Sequence, residues 1–509
     1  MKAVVRVHVR PPRLPVNLEQ QHKRAKDLIR AARDGDPAAL ARLRAVRPDA
    51  AEAVSLKLAD AQFAVARECG FASWPQLVAE FRRRDVAAFC DAVRNGDIRG
   101  VRDLLTSADV RKRINDPVFA FGQRAAHIAA RNAEMLTVLI DAGADLNLKS
   151  EWANGPYTVL DNADESTVRV LLAHGVTLTA NVAARLGWLD ELKTMVKDAP
   201  GLVHAMGGDG QQPLHEAKTV AIADFLLDNG AGVDVRCIDH QSTPAQYALV
   251  DRPDVCRRLL ERGATPDIFM AARLGDLRLV AHLLDSTPEC VEARINNPGY
   301  PLAPPSNISC WSIGFGLSPH DVALKFDHRE IHDLLAARSP ARVRFMNALA
   351  TGDEPAANAL LAENSSLFSS LTRQEHAHLA QAIFHEQFDA ADLMLRLGFD
   401  PAAPGVDGGT ALHAACWVGS VRMVEQLLAR GDVPLDARNP THRSTLLGWG
   451  AFGSVHRRAA GSDYPAVVDR LVAAGADIHA IGNGAGRTLL EMARDNPVMQ
   501  TTLRRHGAV

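Results

Sequence analysis

The sequence predicts an all-α solenoid of about a dozen helix-turn-helix repeats, closed at its N-terminal end by a helical cap. Two recurrences and one compositional fact carry that expectation. A Leu-Leu-x-x-Gly ending, in variant forms, returns at Gly143, Gly175, Gly230, Gly263, Gly398, Gly431, Gly475 and Gly507. Gly143 to Gly175 is 32 residues, and Gly230 to Gly263 and Gly398 to Gly431 are 33 each. A Thr-x-Leu-x-x-Ala opening returns over 158–163 and 410–415, and more loosely over 243–248 and 488–493. Aromatic residues make up only 5% of the chain, as suits short helices packed closely through small side chains. At 509 residues one continuous core is not expected, but a solenoid escapes that limit because each repeat touches only its neighbours.

Taken in order, residues 1–15 read as a loose tail. Residues 16–85 read as a helical capping module. Within it Ala61, Phe63, Ala64, Ala66 and Phe71 make the first half of 56–81 apolar, so that half should be buried. Ser73 before Trp74-Pro75 reads as a helix N-cap with proline just inside the helix. The run from Leu58-Ala59-Asp60-Ala61-Gln62 to Gly70-Phe71-Ala72-Ser73-Trp74-Pro75 resembles the helical segment that precedes many bacterial ankyrin arrays. A solenoid needs a terminal unit with a polar outer face, and this module is placed to supply it.

From residue 86 to 509 the hairpins follow one another. The clearest is 409–431. Thr410 is placed to cap a first helix whose Leu412, Ala415 and Cys416 share a face. Gly419 breaks that helix, Val421, Val424, Leu427 and Leu428 stripe the second, and Gly431 suits a left-handed C-terminal cap. Neither helix could bury its apolar face alone at this length. With a period near 33 and this signature, residues 86–509 resemble ankyrin-repeat proteins, whose repeats are each a turn finger and two helices. Gly175 to Gly187 and Gly263 to Gly275 span only 12 residues, so fingers are expected to be missing there. Two insertions depart from the pattern. The segment 298–315 swells one finger with prolines and with Tyr300, Trp311 and Phe315; the segment 453–465 separates two helices normally joined by a tight turn. In a solenoid, insertions map to loops on one face, often the binding face.

The bulk numbers narrow the partner. Net charge is −3 with acids and bases interspersed, so neither nucleic acid nor a membrane surface is expected as partner. No stretch is long and apolar enough to span a bilayer. Seven cysteines, an odd count without a Cys-x-x-Cys pair, suggest neither a disulfide framework nor a zinc site. A reduced, cytoplasmic setting is the expectation.

The histidines invite a chemical reading that spacing does not sustain. His127, His215 and His413 hold the fourth position of the repeat signature, where other repeats place Asp161, Gln246, Asp321 or Glu491. A polar side chain suffices there, so a structural hydrogen bond is expected. His328 and His332 stand at i and i+4 without the His-Glu-x-x-His order of a zinc hydrolase. His376, His378 and His385 cluster near Glu375, but no further ligand is spaced to close a metal site. Cys416, on an apolar face, reads as core, and no Gly-x-Ser-x-Gly elbow or phosphate loop is present.

The expected function is therefore a scaffold that binds a protein partner through its concave face and finger loops, without catalytic residues, cofactor or metal. The alternative is an enzyme or small-ligand binder whose pocket is built from the two insertions. Candidate binding residues are Tyr300, Trp311, Phe315, His320, Trp449, His456, Arg457, Arg458 and Tyr464. Aromatics and arginines dominate interface anchors.

Overall fold

In the computed structural model the described residues are 18–46, 56–295, 308–431, 434–457 and 460–508. The expected tail, Tyr300, Arg458 and most of the 298–315 segment lie outside them. Among the described residues the chain is helical with no β-strand, and it divides into two compact units, 1–213 and 214–509.

The first unit opens with the Leu18–Arg33, Pro37–Val46 and Leu58–Glu68 helices. Their core is small-residue packing: Ala25, Ala32, Ala61, Ala64, Val65 and Ala66 are wholly buried beside Leu43. Glu68 ties the helices together, accepting from Arg24 at 2.9 Å and from Arg42 at 2.8 Å. Ser73 Oγ accepts from the Gln76 amide at 3.4 Å and so starts the long Trp74–Arg94 helix with Pro75 inside its first turn. That helix serves two cores. Leu77 and Phe81 pack toward the N-terminal helices, whereas Phe89, Cys90 and Val93 pack into the hairpins that follow. Residue 85 lies between the two sets.

The second unit is a succession of helical hairpins. The pairs relevant to the site are Pro319–Lys325 with Arg329–Arg338, His378–Phe384 with Phe388–Leu397, Ala411–Val418 with Val421–Leu428, and Leu446–His456 with Tyr464–Ala473. The first helices stack on one another: His378–Phe384 on Ala411–Val418, and that on Leu446–His456. Alanine at Ala380, Ala382, Ala411, Ala414, Ala415 and Ala451 permits the approach, and all six are buried. Gly453 is needed for the same reason, since a Cβ there would collide with the Trp417 carbonyl oxygen.

Gly419 closes the 411–418 helix with φ +68° and Gly431 follows the next helix with φ +80°, both in the left-handed region. Thr410 is the N-cap of that helix, as expected, and His413 completes a capping box with it. The Thr410 backbone N–H donates to His413 Nδ1 at 3.2 Å, and its hydroxyl lies 2.9 Å from the same nitrogen. The imidazole, three residues on, does what Glu does in a capping box. His127 repeats the device, accepting from the Arg124 amide at 3.3 Å. Its Nε2 then donates to the Tyr157 carbonyl of the next finger at 3.1 Å, as His215 Nε2 does to Ser242 at 3.2 Å. A carbonyl only accepts, so Nε2 carries the proton and Nδ1 is left to receive the cap N–H. At His127 one neutral imidazole thus joins a helix start to the finger of its neighbour.

Both insertions grow from ordinary frames. Ile295 N–H donates to Leu317 O at 3.0 Å and Gly316 N–H to Ile295 O at 2.8 Å, the closing pair of an enlarged finger. In the second, Gly453 to His456 extend the first helix by a turn before the chain crosses to Tyr464. Asp463 Oδ1 then accepts from the Ala466 amide at 3.0 Å and starts the second helix.

Candidate functional site

The site lies in the second unit, along the ends of three successive first helices. Phe384 closes the His378–Phe384 helix, and Trp417, 33 residues on, holds the same place in Ala411–Val418. Phe452 occupies the corresponding stretch of Leu446–His456. Their rings form a ladder. Phe384 and Trp417 are stacked with centroids 6.2 Å apart and planes 5° from parallel; Trp417 and Phe452 stack at 6.0 Å and 30°. His456, exposed, continues it at 4.0 Å from Phe452. Each of the three larger rings is partly exposed, with its inner side packed on the core of the unit. A row of partly exposed aromatic rings is notable in so aromatic-poor a chain.

The ladder is framed by charge. Arg457 Nη2 lies 2.6 Å from Glu386 Oε1 while its guanidinium sits 5.6 Å from the Phe384 ring centroid. The hairpin turn has glycine at Gly187, Gly275, Gly352 and Gly419, each with positive φ; in two hairpins an acid stands there instead, Asp327 at φ +59° and Glu386 at φ +61°. A non-glycine residue in that region is strained, and strain of this kind gathers at functional sites. Behind the ladder, the Tyr464 hydroxyl lies 2.6 Å from Arg457 O and 2.9 Å from Trp417 O. Burial pushes that phenol up to about 12, so it stays neutral and holds the crossing segment to the neighbouring helix.

Beside Glu386 opens a cavity of about 610 Å³, lined by Asp321, Lys325, Thr351, His385, Glu386 and Asp389 among others. The first insertion reaches it through backbone. Phe315 O accepts from Gln381 Nε2 at 3.3 Å and from His385 Nε2 at 3.0 Å, and Lys325 Nζ donates to Ile313 O. Burial holds the His385 imidazole below its usual range, so it is neutral with the proton on Nε2. Asp321 is fixed by the Ser318 amide at 2.8 Å and by Arg294 at 3.2 Å. The cavity wall thus offers an amine, neutral imidazole and carboxylates in fixed positions.

Of the residues singled out by sequence, Phe315, His456, Arg457 and Tyr464 come together around the segment 381–386. Trp449 sits behind them, 93% buried, its ring 6.3 Å from Trp417 and its Nε1 3.4 Å from Asn439 Oδ1. His320 is not brought to the site. It is buried and its Nε2 donates to Ser339 Oγ at 3.0 Å. Ser339 Oγ can accept there because its own proton goes to Leu335 O, 2.7 Å away. Trp311 stands apart in the Ser309–Ser312 helix with 80% of its surface exposed. The other histidines are engaged separately: His328 Nε2 with Arg273 O, His332 Nε2 with Asn347 Nδ2, His376 Nδ1 with the Asp400 amide. Phe384, Trp417, Glu386 and Phe452 were missed by sequence reasoning. The 33-residue step from Phe384 to Trp417 was the available signal.

A model of the ankyrin repeat family matches residues 407–440, so the chain contains an ankyrin repeat, and Trp417 lies within it. The chain is also similar to Protein PhlB of Serratia liquefaciens, 38% identical over 69 residues. That alignment covers 14% of this chain, and the chain spans only 30% of the relative's length. Among the described residues no helix is long and apolar enough to cross a membrane.

Proposed function

We propose that the second unit is a protein-binding scaffold that captures a partner segment along its row of first helices, with the Phe384–Trp417–Phe452 ladder as anchor. The same reading extends the repeat at 407–440 to the neighbouring hairpins, as an ankyrin-type array in which fingers and first helices share the binding role. The single observation behind it is the ladder itself: three partly exposed rings, repeated once per hairpin and packed against the core of the unit. Such rings supply large contact area at low entropic loss, and the flanking arginine is the other residue type that dominates interface energies. Trp311, exposed on the enlarged finger, is assigned to the same partner-facing role. None of the seven cysteines forms a disulfide, which fits a reducing compartment, and we place the protein in the cytoplasm.

A second reading is favoured by one observation, the 610 Å³ cavity beside Glu386. Its volume suits a small polar ligand. The two readings separate in one experiment. Peptides selected from a displayed random library against the full chain should lose affinity in Phe452→Gln and keep it in Lys325→Met. Peptides indifferent to Phe452→Gln would dismiss the scaffold reading. Affinity confined to small polar molecules, and lost in Lys325→Met, would install the pocket.

A further inference from the structure

Three fingers of the chain close with the same two-residue turn. Asp209-Gly210 and Asp407-Gly408 both place two successive residues at positive φ: Asp209 56° and Gly210 67°, Asp407 52° and Gly408 72°. These are the values of a type I′ turn, whose first position takes Asp or Asn because their short polar side chains tolerate the left-handed region. The finger 119–123 of the first unit has the same turn, with Phe119 N–H donating to Gln123 O at 3.1 Å. At its first position stands Phe121, φ 59° and ψ 24°. A bulky ring there is a conformational outlier, and it is 52% exposed besides. Neither the turn nor the core explains a phenylalanine. An outlier that local structure does not require points to function.

The surroundings say what it does. Phe121 meets Trp152 edge-to-face, with centroids 4.9 Å apart and planes at 79°, and faces Tyr157 at 6.5 Å and 55°. The three rings are inclined to one another, so they make a corner rather than a stack. Its base is the Asp209 carboxylate, whose Oδ1 accepts from Trp152 Nε1 at 3.1 Å and from the Tyr157 hydroxyl at 2.5 Å. The frame is rigid. Glu151 N–H donates to Gly122 O at 3.1 Å, Asp209 N–H to Gly155 O at 3.2 Å, and a Cβ on Gly208 would strike the Tyr157 ring.

Ring faces are electronegative and attract a cation within about 6 Å of the centroid, Trp most strongly. A carboxylate at the base adds a full negative charge. Because Asp209 Oδ1 already receives two donors, a guanidinium fork would find half its partner taken, whereas a compact ammonium needs no second oxygen. We propose that Phe121, Trp152, Tyr157 and Asp209 form a corner that takes the ammonium group of a lysine side chain on a partner protein. This site belongs to the first unit and does not depend on the ladder of the second.

The test uses the full chain with ¹⁵N-labelled tryptophan indoles and a tetralysine peptide as probe, against the same peptide acetylated on every side chain. The Trp152 indole N–H is assigned among the six tryptophans by Trp152→Phe. Its signal should shift saturably with tetralysine and stay put with the acetylated form. Phe121→Asn, which suits the left-handed turn, should keep or raise the melting temperature and weaken the peptide about tenfold. Asp209→Asn should weaken it as well. An unmoved Trp152 signal overturns the proposal. So does unchanged affinity in Phe121→Asn, which would reduce binding to general charge attraction. A melting temperature several degrees lower in Phe121→Asn also overturns it, because the ring would then serve the fold.

Discussion

Among single residues, buried imidazoles set the acid limit of the fold. His413 is held down to about 4 by burial, His320 likewise to about 4, and His127 is lowered by the same cause. Each is neutral in the native protein, and each titrates near 6.5 when unfolded. A depressed histidine leaves stability intact above 6.5 and removes it as pH falls from 6.5 toward the folded value, because the unfolded chain then binds protons that the native chain refuses. Protonation would also convert Nδ1 of His413 and His127 from acceptor to donor, against the cap N–H it now receives. Each fully depressed group therefore removes on the order of 3 kcal/mol over that window. Denaturant midpoints should be flat from pH 8 to 7 and fall steeply between pH 6.5 and 4. His413→Gln should flatten that fall, since Gln246 makes the same cap contact without titrating, its Oε1 accepting from the Thr243 amide at 3.0 Å. An unchanged slope would remove His413 from this account.

Glu386 is the other residue whose change reports on the site. Replacing it by glycine relieves the left-handed strain, about 1 kcal/mol. It also removes an ion pair whose partners are each roughly 30% exposed, and such pairs contribute about 0–1 kcal/mol. Relief and loss nearly cancel, so Glu386→Gly should be neutral to slightly stabilising in a urea melt. A loss above about 2 kcal/mol would mean that Glu386 serves packing, and its strain would need no functional explanation.

At the scale of elements, two glycines with similar φ should respond differently. Gly431, at φ +80°, has open space where a Cβ would stand. Gly431→Ala therefore carries only backbone strain, about 1 kcal/mol. Gly419, at φ +68°, faces Ser462 at 2.9 Å and the Tyr464 ring at 3.0 Å. Tyr464 is buried and anchored at its hydroxyl, so it cannot give way, and Gly419→Ala should exceed Gly431→Ala by at least about 1 kcal/mol. Equal losses in paired denaturant melts would show that the 457–464 crossing does not press on that turn.

The elements were also where the sequence was most readable. Leu-Leu-x-x-Gly endings mark helix ends because a left-handed residue must follow them, and Gly431 and Gly419 take that conformation. The Ser73-Trp74-Pro75 start was legible for the same reason, as each residue there has one local task. The site was less legible because it is made between elements. Phe384, Trp417 and Phe452 look like ordinary helix residues until the helices stack. Glu386 looks like a surface acid until its backbone shows the left-handed conformation that glycine takes at most of the other hairpin turns. His320 lies close in sequence to the first insertion, yet its helix turns it toward Ser339.

Across the whole molecule, small and large residues divide the labour. Small residues let the first helices approach, and this leaves little room for large rings except at the helix ends. The rings are therefore displayed in register there, one per hairpin. This row is what we propose a partner reads. The decisive experiment is the affinity of a library-selected peptide for the full chain and for Trp417→Gln, with melting temperatures recorded on both. A loss of about 30-fold or more is expected, as for an interface hot spot, with the fold retained at the assay temperature. A peptide that binds the folded Trp417→Gln chain as tightly as the parent would contradict it.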